Sequence, residues 1–140
     1  MRLLAIDLGD RRIGLAISDP TGTIASPSGY ITRRPGKRPP VGEILDRARA
    51  LGAEGFVVGL PLDEQGDETE RSVEARRVAA LLGERSGLRV RLVDERFTTA
   101  AAQRAIREMG GSTRGRRGDV DALAATVLLQ HALQLPEPVP

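Results

Sequence analysis

Three acidic residues fall where a protein ordinarily keeps hydrocarbon. The run Leu3-Leu4-Ala5-Ile6-Asp7-Leu8-Gly9 reads as a buried strand that delivers one carboxylate at its end. An ionised carboxylate there is costly unless a cation or a set of donors compensates it. Val93-Asp94-Glu95-Arg96 closes a second strand, and Asp119-Val120-Asp121 opens a strongly apolar helix. Carboxylates remote in sequence and gathered by folding are the usual way to hold hard divalent cations. Asp7, Glu95 and Asp121 therefore point to metal-dependent cleavage of nucleic acid.

Each acid also has an ordinary explanation. Asp7 could cap the following turn through an Asx bond. Glu95 could pair with a neighbouring arginine such as Arg96, an ion pair worth little at a surface. Asp94 falls on the opposite face of its strand and is the weaker candidate. Asp119 and Asp121, two apart on a helix, do not share a face. Asp119 follows Gly118 and reads as the N-cap, with a ligand role as an auxiliary alternative. Asp121 lies in the first turn, where the macrodipole favours an acid. It is also in register with Ala124, Ala125 and Leu128, which should face the sheet, and that register aims it toward Asp7.

Composition narrows the chemistry. There are no cysteines, so disulfides, zinc-thiolate sites and thiol nucleophiles are excluded. The single histidine, His131, sits late in the last helix and is expected to be structural, which argues against histidine general-base catalysis. At 140 residues the chain is expected to form one domain around a real core. No stretch is apolar for long enough to span a bilayer, and the opening residues form a strand rather than a signal peptide, so the expected compartment is the cytoplasm.

The net charge is only +2, but the cations are unevenly placed, and Lys37 is the one lysine among 21 basic residues. Arg33, Arg34, Lys37 and Arg38 crowd one loop; Arg114, Arg116 and Arg117 crowd another, just before Asp119 and Asp121. Arginine forks onto phosphate, so both loops suit a nucleic-acid backbone. The alternative is that arginine richness reflects genome composition and the loops are merely solvated. Aromatic residues are limited to Tyr30, Phe56 and Phe97, so a base-stacking platform is not expected.

The elements that must position these residues read β-β-β-α-β-α-β-α-α. After the first strand, Gly9 to Arg12 turns the chain, and Ile13, Leu15 and Ile17 alternate as in a strand. Asp19-Pro20-Thr21-Gly22 is a turn signature, with a third strand from Thr23 to about Ile31. Arg33 to Pro40 is a loop, and helices follow over about Val41–Leu51 and Glu68–Arg85, the latter stopped by Gly87. Gly55 to Gly59 is a strand buried on both sides. Leu88 to Asp94 is the fifth strand, with Val90 and Leu92 facing one way and Arg89 and Arg91 the other. Thr98 or Thr99 caps a helix with an inner face of Ala102, Ala105, Ile106 and Met109. Gly110 to Gly118 is a loop, about Asp119 to Leu135 the last helix, and Pro136 to Pro140 a frayed tail. Strands reached through helices favour parallel pairing. The expected fold is α/β, a mixed five-stranded sheet (an antiparallel three-stranded meander plus two parallel strands) flanked by helices. Its strand ends would then face the crevice where open α/β sheets bind ligands.

Four segments taken in order resemble the YqgF family, also called RuvX. They are Asp7-Leu8-Gly9-Asp10-Arg11-Arg12-Ile13-Gly14-Leu15-Ala16, Val58-Gly59-Leu60-Pro61-Leu62, Asp94-Glu95-Arg96-Phe97-Thr98-Thr99 and Val120-Asp121-Ala122-Leu123-Ala124-Ala125. That family is similar to the Holliday-junction resolvase RuvC and has the RNase H-like fold. The resemblance, which runs from about Arg2 to Leu135, implies nuclease activity at the 5′ side of precursor 16S ribosomal RNA. It also suggests a role at branched DNA, and it places the acidic site on Asp7, Glu95 and Asp121. Two features depart from the pattern: Asp10, where many members carry a basic or small residue, and the proline- and arginine-rich loop from Arg33 to Pro40.

The mechanism implied has Asp7 bridging two Mg²⁺ or Mn²⁺ ions about 4 Å apart, with Glu95 and Asp121 each completing one site. Arg11, Arg12 and Arg96 would hold phosphates near the ions, and Arg114, Arg116 and Arg117 would close over the strand. Gly14 and Gly59 would permit close backbone approach to a ligand, although packing explains them equally. A non-catalytic RNA-binding module for ribosome assembly fits the basic loops as well. An actin-like ATPase needs two domains, and no Gly-x-x-x-x-Gly-Lys loop is present. The expected partners are precursor ribosomal RNA or branched DNA, with no membrane. Junction cleavage would call for a homodimer, whereas RNA trimming would not.

Overall fold

Alternation along the strands divides the molecule into a sheet with two chemically different faces. The computed structural model describes residues 1–97 and 117–136. Strands β1 (Leu3–Leu8), β2 (Arg12–Ser18) and β3 (Ala25–Thr32) precede helix α1 (Val41–Leu51) and strand β4 (Gly55–Leu60). Helix α2 (Glu70–Ser86), strand β5 (Arg89–Asp94), a 3₁₀ turn at Glu95–Phe97 and helix α3 (Arg117–Gln134) complete the described elements. The sheet order is β3-β2-β1-β4-β5. The first three strands pair antiparallel, whereas β4 lies parallel to both β1 and β5, as expected for strands joined by helices.

One face carries large side chains. Leu4, Ile6, Leu8, Ile13, Leu15, Phe56, Val58 and Leu60 pack there against Ile44 and Ala48 of α1 and Ala75, Val78 and Leu82 of α2. The other face is lined by small residues. Ala5, Ala16, Val57 and Val93 meet Ala125, Leu128, Leu129 and Ala132 of α3, which therefore lies close against the sheet. At the edge, Pro27 is tolerated because β3 has a neighbour on one side alone.

Local signals set most boundaries. Thr69 and Ser72 exchange side-chain and backbone hydrogen bonds as a capping box at the start of α2. Gly52 and Gly87, at φ of 68° and 72°, end α1 and α2 in the left-handed conformation that glycine adopts without steric penalty. The third strand starts at Ala25 rather than Thr23, because the Asp19 carboxylate takes the amides of Thr23 (2.7 Å) and Ile24 (2.8 Å) into the preceding turn. Bonds from the Ile24 amide, the Thr21 hydroxyl and the Thr23 amide hold the Asp19 carboxyl well below the usual carboxylate range.

The last helix begins at Arg117, ahead of the expected Asp119. Asp119 is thus inside the first turn and is not the N-cap. Gly118 is tolerated there because first-turn amides lack intrahelical partners in any case. The helix expected after Thr98 and most of the loop from Gly110, including Arg114 and Arg116, lie outside the described residues. Among the described residues, no helix is long and apolar enough to cross a membrane.

Candidate active site

Asp7, Glu95 and Asp121 are 0%, 3% and 2% exposed, and among the described residues they are the buried charged side chains. Strand parity brings them to one face. Ala5 packs toward α3, so Asp7, two residues on, points the same way. Val93 also packs toward α3, and Glu95 follows it where β5 passes into the 3₁₀ turn. Asp121 arrives from the opposite side, on the N-terminal part of α3.

Two glycines make room for this approach. Asp7 is paired with Gly14 on β2, and the Ile6–Val58 pairing brings Gly59 of β4 alongside it on the other flank. A Cβ at Gly14 would overlap the backbone carbonyl of Asp121; one at Gly59 would overlap Glu95 Oε1 and crowd Leu128. The hydrogen at each position is what lets α3 and the Glu95 carboxylate settle on either side of Asp7. Both glycines are therefore explained by the packing of the acids themselves. An all-carboxylate donor set of this kind suits a hard divalent cation. Among the described residues, no three acidic, histidine or cysteine side chains are already drawn up as a finished ion cage.

Arginine accounts for part of that. Arg12 Nε donates to Asp121 Oδ2 at 2.8 Å, with the Arg12 side chain 22% exposed and its guanidinium 5.9 Å from the Tyr30 ring centre. Arg96 donates from Nε and Nη2 to Asp94 Oδ2 at 2.9 and 2.7 Å, and its backbone N–H bonds Asp94 Oδ1. These bonds hold the Asp94 carboxyl below its ordinary range. Arg12 and Arg96, expected as phosphate contacts, are thus engaged with carboxylates of the chain. Asp94, rather than Glu95, is the partner of Arg96, because Asp94 faces away from α3 and Glu95 faces in. Gly66, at a φ of +86°, packs against the same guanidinium, which fastens the turn carrying Glu95.

The turn after Asp7 is tied down as well. Arg33 bonds both oxygens of Glu74 at 2.9 Å and the carbonyl of Gly9 at 2.8 Å. Asp10, the residue that departs from the family pattern, pairs with Arg71 of α2. Arg11 stays exposed on this turn. Arg117 and Asp119 are helical, and their side chains lie outside the described residues. His131 sits in the last turn of α3, partly buried and away from the acids in sequence and register. None of these long-range pairings leaves a signature in the sequence; the glycines inside two strands were the available signal for the close approach.

The RuvX family, described as Holliday junction resolvase, matches residues 1–135. The chain belongs to that family. Among its relatives, a protein of Clavibacter sepedonicus is 42% identical over 131 residues, spanning 94% of this chain and 81% of its own length. One from Kineococcus radiotolerans is 44% identical over 131 residues, spanning 93% and 70%. Both carry the name "Putative pre-16S rRNA nuclease". Among solved structures, Thermus thermophilus RuvC in complex with a Holliday junction substrate superposes with a TM-score of 0.54. The two are 17% identical, and the match covers 95% of this chain and 94% of RuvC. The fowlpox virus Holliday junction resolvase gives a TM-score of 0.51 at 14% identity, covering 94% and 96%. The fold is accordingly the RNase H-like fold of RuvC.

Proposed function

We propose that this chain is a metal-dependent nuclease that hydrolyses phosphodiesters in 5′-end maturation of precursor 16S ribosomal RNA. One observation carries the proposal: its buried charged side chains, Asp7, Glu95 and Asp121, share one face at the carboxyl ends of β1 and β5, with glycine notches on both sides. The family and the names of its members supply the substrate class.

Asp7, Glu95 and Asp121 would hold Mg²⁺ or Mn²⁺. Such an ion, when bound, activates a water for attack and stabilises the leaving oxygen. The remaining work belongs to the chain and is positional. Gly59 admits the Glu95 carboxylate, and the Asp94–Arg96 clamp fixes the turn from which it projects. Arg12 orients Asp121 through its Nε–H. Arg11, exposed on the turn after Asp7, is placed to meet a substrate phosphate, and Arg114, Arg116 and Arg117 are assigned to the strand beyond it.

The test is Asp7→Asn, incubated with precursor 16S RNA and with a four-way DNA junction in Mg²⁺, Mn²⁺ or chelator. The variant loses cleavage while its thermal transition stays near that of the parent; cleavage at the parental rate would remove Asp7 from the site. The family description favours a second reading, resolution of branched DNA. Preferential cutting of the junction by a two-fold pair of chains would select it. Binding without cleavage by the parent chain would select a non-catalytic RNA-binding module.

A further inference from the structure

Most arginines at described positions are consumed internally. Arg2, Arg12, Arg33, Arg47, Arg49, Arg71, Arg76, Arg91 and Arg96 each donate to a carboxylate or a carbonyl. Arg34, Lys37, Arg38, Arg77 and Arg85 are different. All are exposed, and among the described residues their side chains make no hydrogen bond or ion pair. They are also not scattered. Lys37, Arg38, Arg77 and Arg85 line one groove of about 420 Å³ between the loop after β3 and the outer side of α2. Arg34, Lys37 and Arg38 line a second that adjoins it. The acid in the first groove, Glu74, is already held by both nitrogens of the Arg33 fork.

This groove starts beside the acidic site. Thr32, the last residue of β3, pairs with Arg12, and the Arg33 backbone N–H bonds the Arg11 carbonyl at 2.8 Å. Arg33 also bonds the carbonyl of Gly9, two residues beyond Asp7. From that anchor the loop leads onto α2, where Arg77 and Arg85 continue the line. No aromatic residue lines either groove, so what they recognise is charge rather than base.

We propose that this groove is a second nucleic-acid contact, a track for the phosphate backbone of the single strand flanking the scissile bond. The class of ligand rests on the nuclease reading; the groove itself rests on the clustering of unengaged cations. Binding there is independent of sequence and strongly dependent on salt.

The test measures binding of a fluorescein-labelled single-stranded RNA to the full chain in chelator, across a salt series. Arg38→Ala/Arg77→Ala loses about tenfold in affinity, and the slope of log K against log salt shrinks by about 1.4, at ~0.7 per phosphate released. The singles each shrink it by about 0.7, which keeps the test informative if the double variant folds poorly. The charge-matched control Arg47→Ala/Arg49→Ala, on α1, leaves the slope unchanged. Equal losses in both doubles would mean that net charge alone drives binding, and no loss in the groove variants would mean that the groove is not used. Either result overturns the proposal. Because no cleavage is measured, failure here is separate from failure of the Asp7 assignment.

Discussion

The two faces of the sheet obey the same period of two and use it for opposite ends. Toward α1 and α2 the strands present leucine, isoleucine and phenylalanine, a surface that contributes hydrophobic stability and nothing else. Toward α3 they present alanine, glycine and valine, and in the middle of that row an aspartate. Small side chains give up buried area, but they let a helix backbone and a second carboxylate come close to Asp7. The lesson is that stability and chemistry are segregated by face. A substitution on one side should be felt in folding, and one on the other in ion binding.

The largest effect expected on the aliphatic side is Leu82→Ala. It removes a fully buried side chain and lowers stability by about 3 kcal/mol, read by denaturant titration, with Mn²⁺ affinity unchanged. On the other side, Arg12→Met strips Asp121 of its guanidinium and costs about 2 kcal/mol, because a charged hydrogen bond to a buried carboxylate is lost. Mn²⁺ then raises the melting temperature of this variant more than that of the parent, since the ion supplies the missing positive charge. The smallest change in stability comes from Gly59→Ala. One added carbon overlaps Glu95 Oε1, the end of a side chain that can move, for about 1 kcal/mol. Its affinity for Mn²⁺ falls more than its stability does. If Gly59→Ala instead unfolds the protein with ion affinity intact, the separation between the faces is wrong.

How far the sequence revealed this division varies from residue to residue. Asp7 was legible because it interrupts an apolar run, and the inward face of the last helix because Ala124, Ala125 and Leu128 share its register. The sheet followed from alternation and from the helices joining β4 and β5. What stayed hidden depends on contacts across long stretches of chain. Arg12 and Asp121 are 109 positions apart, and nothing in either motif links them. Arg96 had two adjacent acids to choose from, and the direction of Asp94 from its strand decided the pairing. The start of α3 was misplaced because Gly118 reads as a terminator when tertiary packing is ignored. The value of Gly14 and Gly59 needed the partner atoms that fill the space above them.

Isothermal titration of Mn²⁺ into the parent chain and into Asp7→Asn, Glu95→Gln and Asp121→Asn bears most directly on the shared role of the three acids. Saturable uptake by the parent, abolished by Asp7→Asn and weakened at least tenfold by each of the other two, is the predicted result. Uptake unchanged in all three variants, or absent from a folded parent chain, would contradict it.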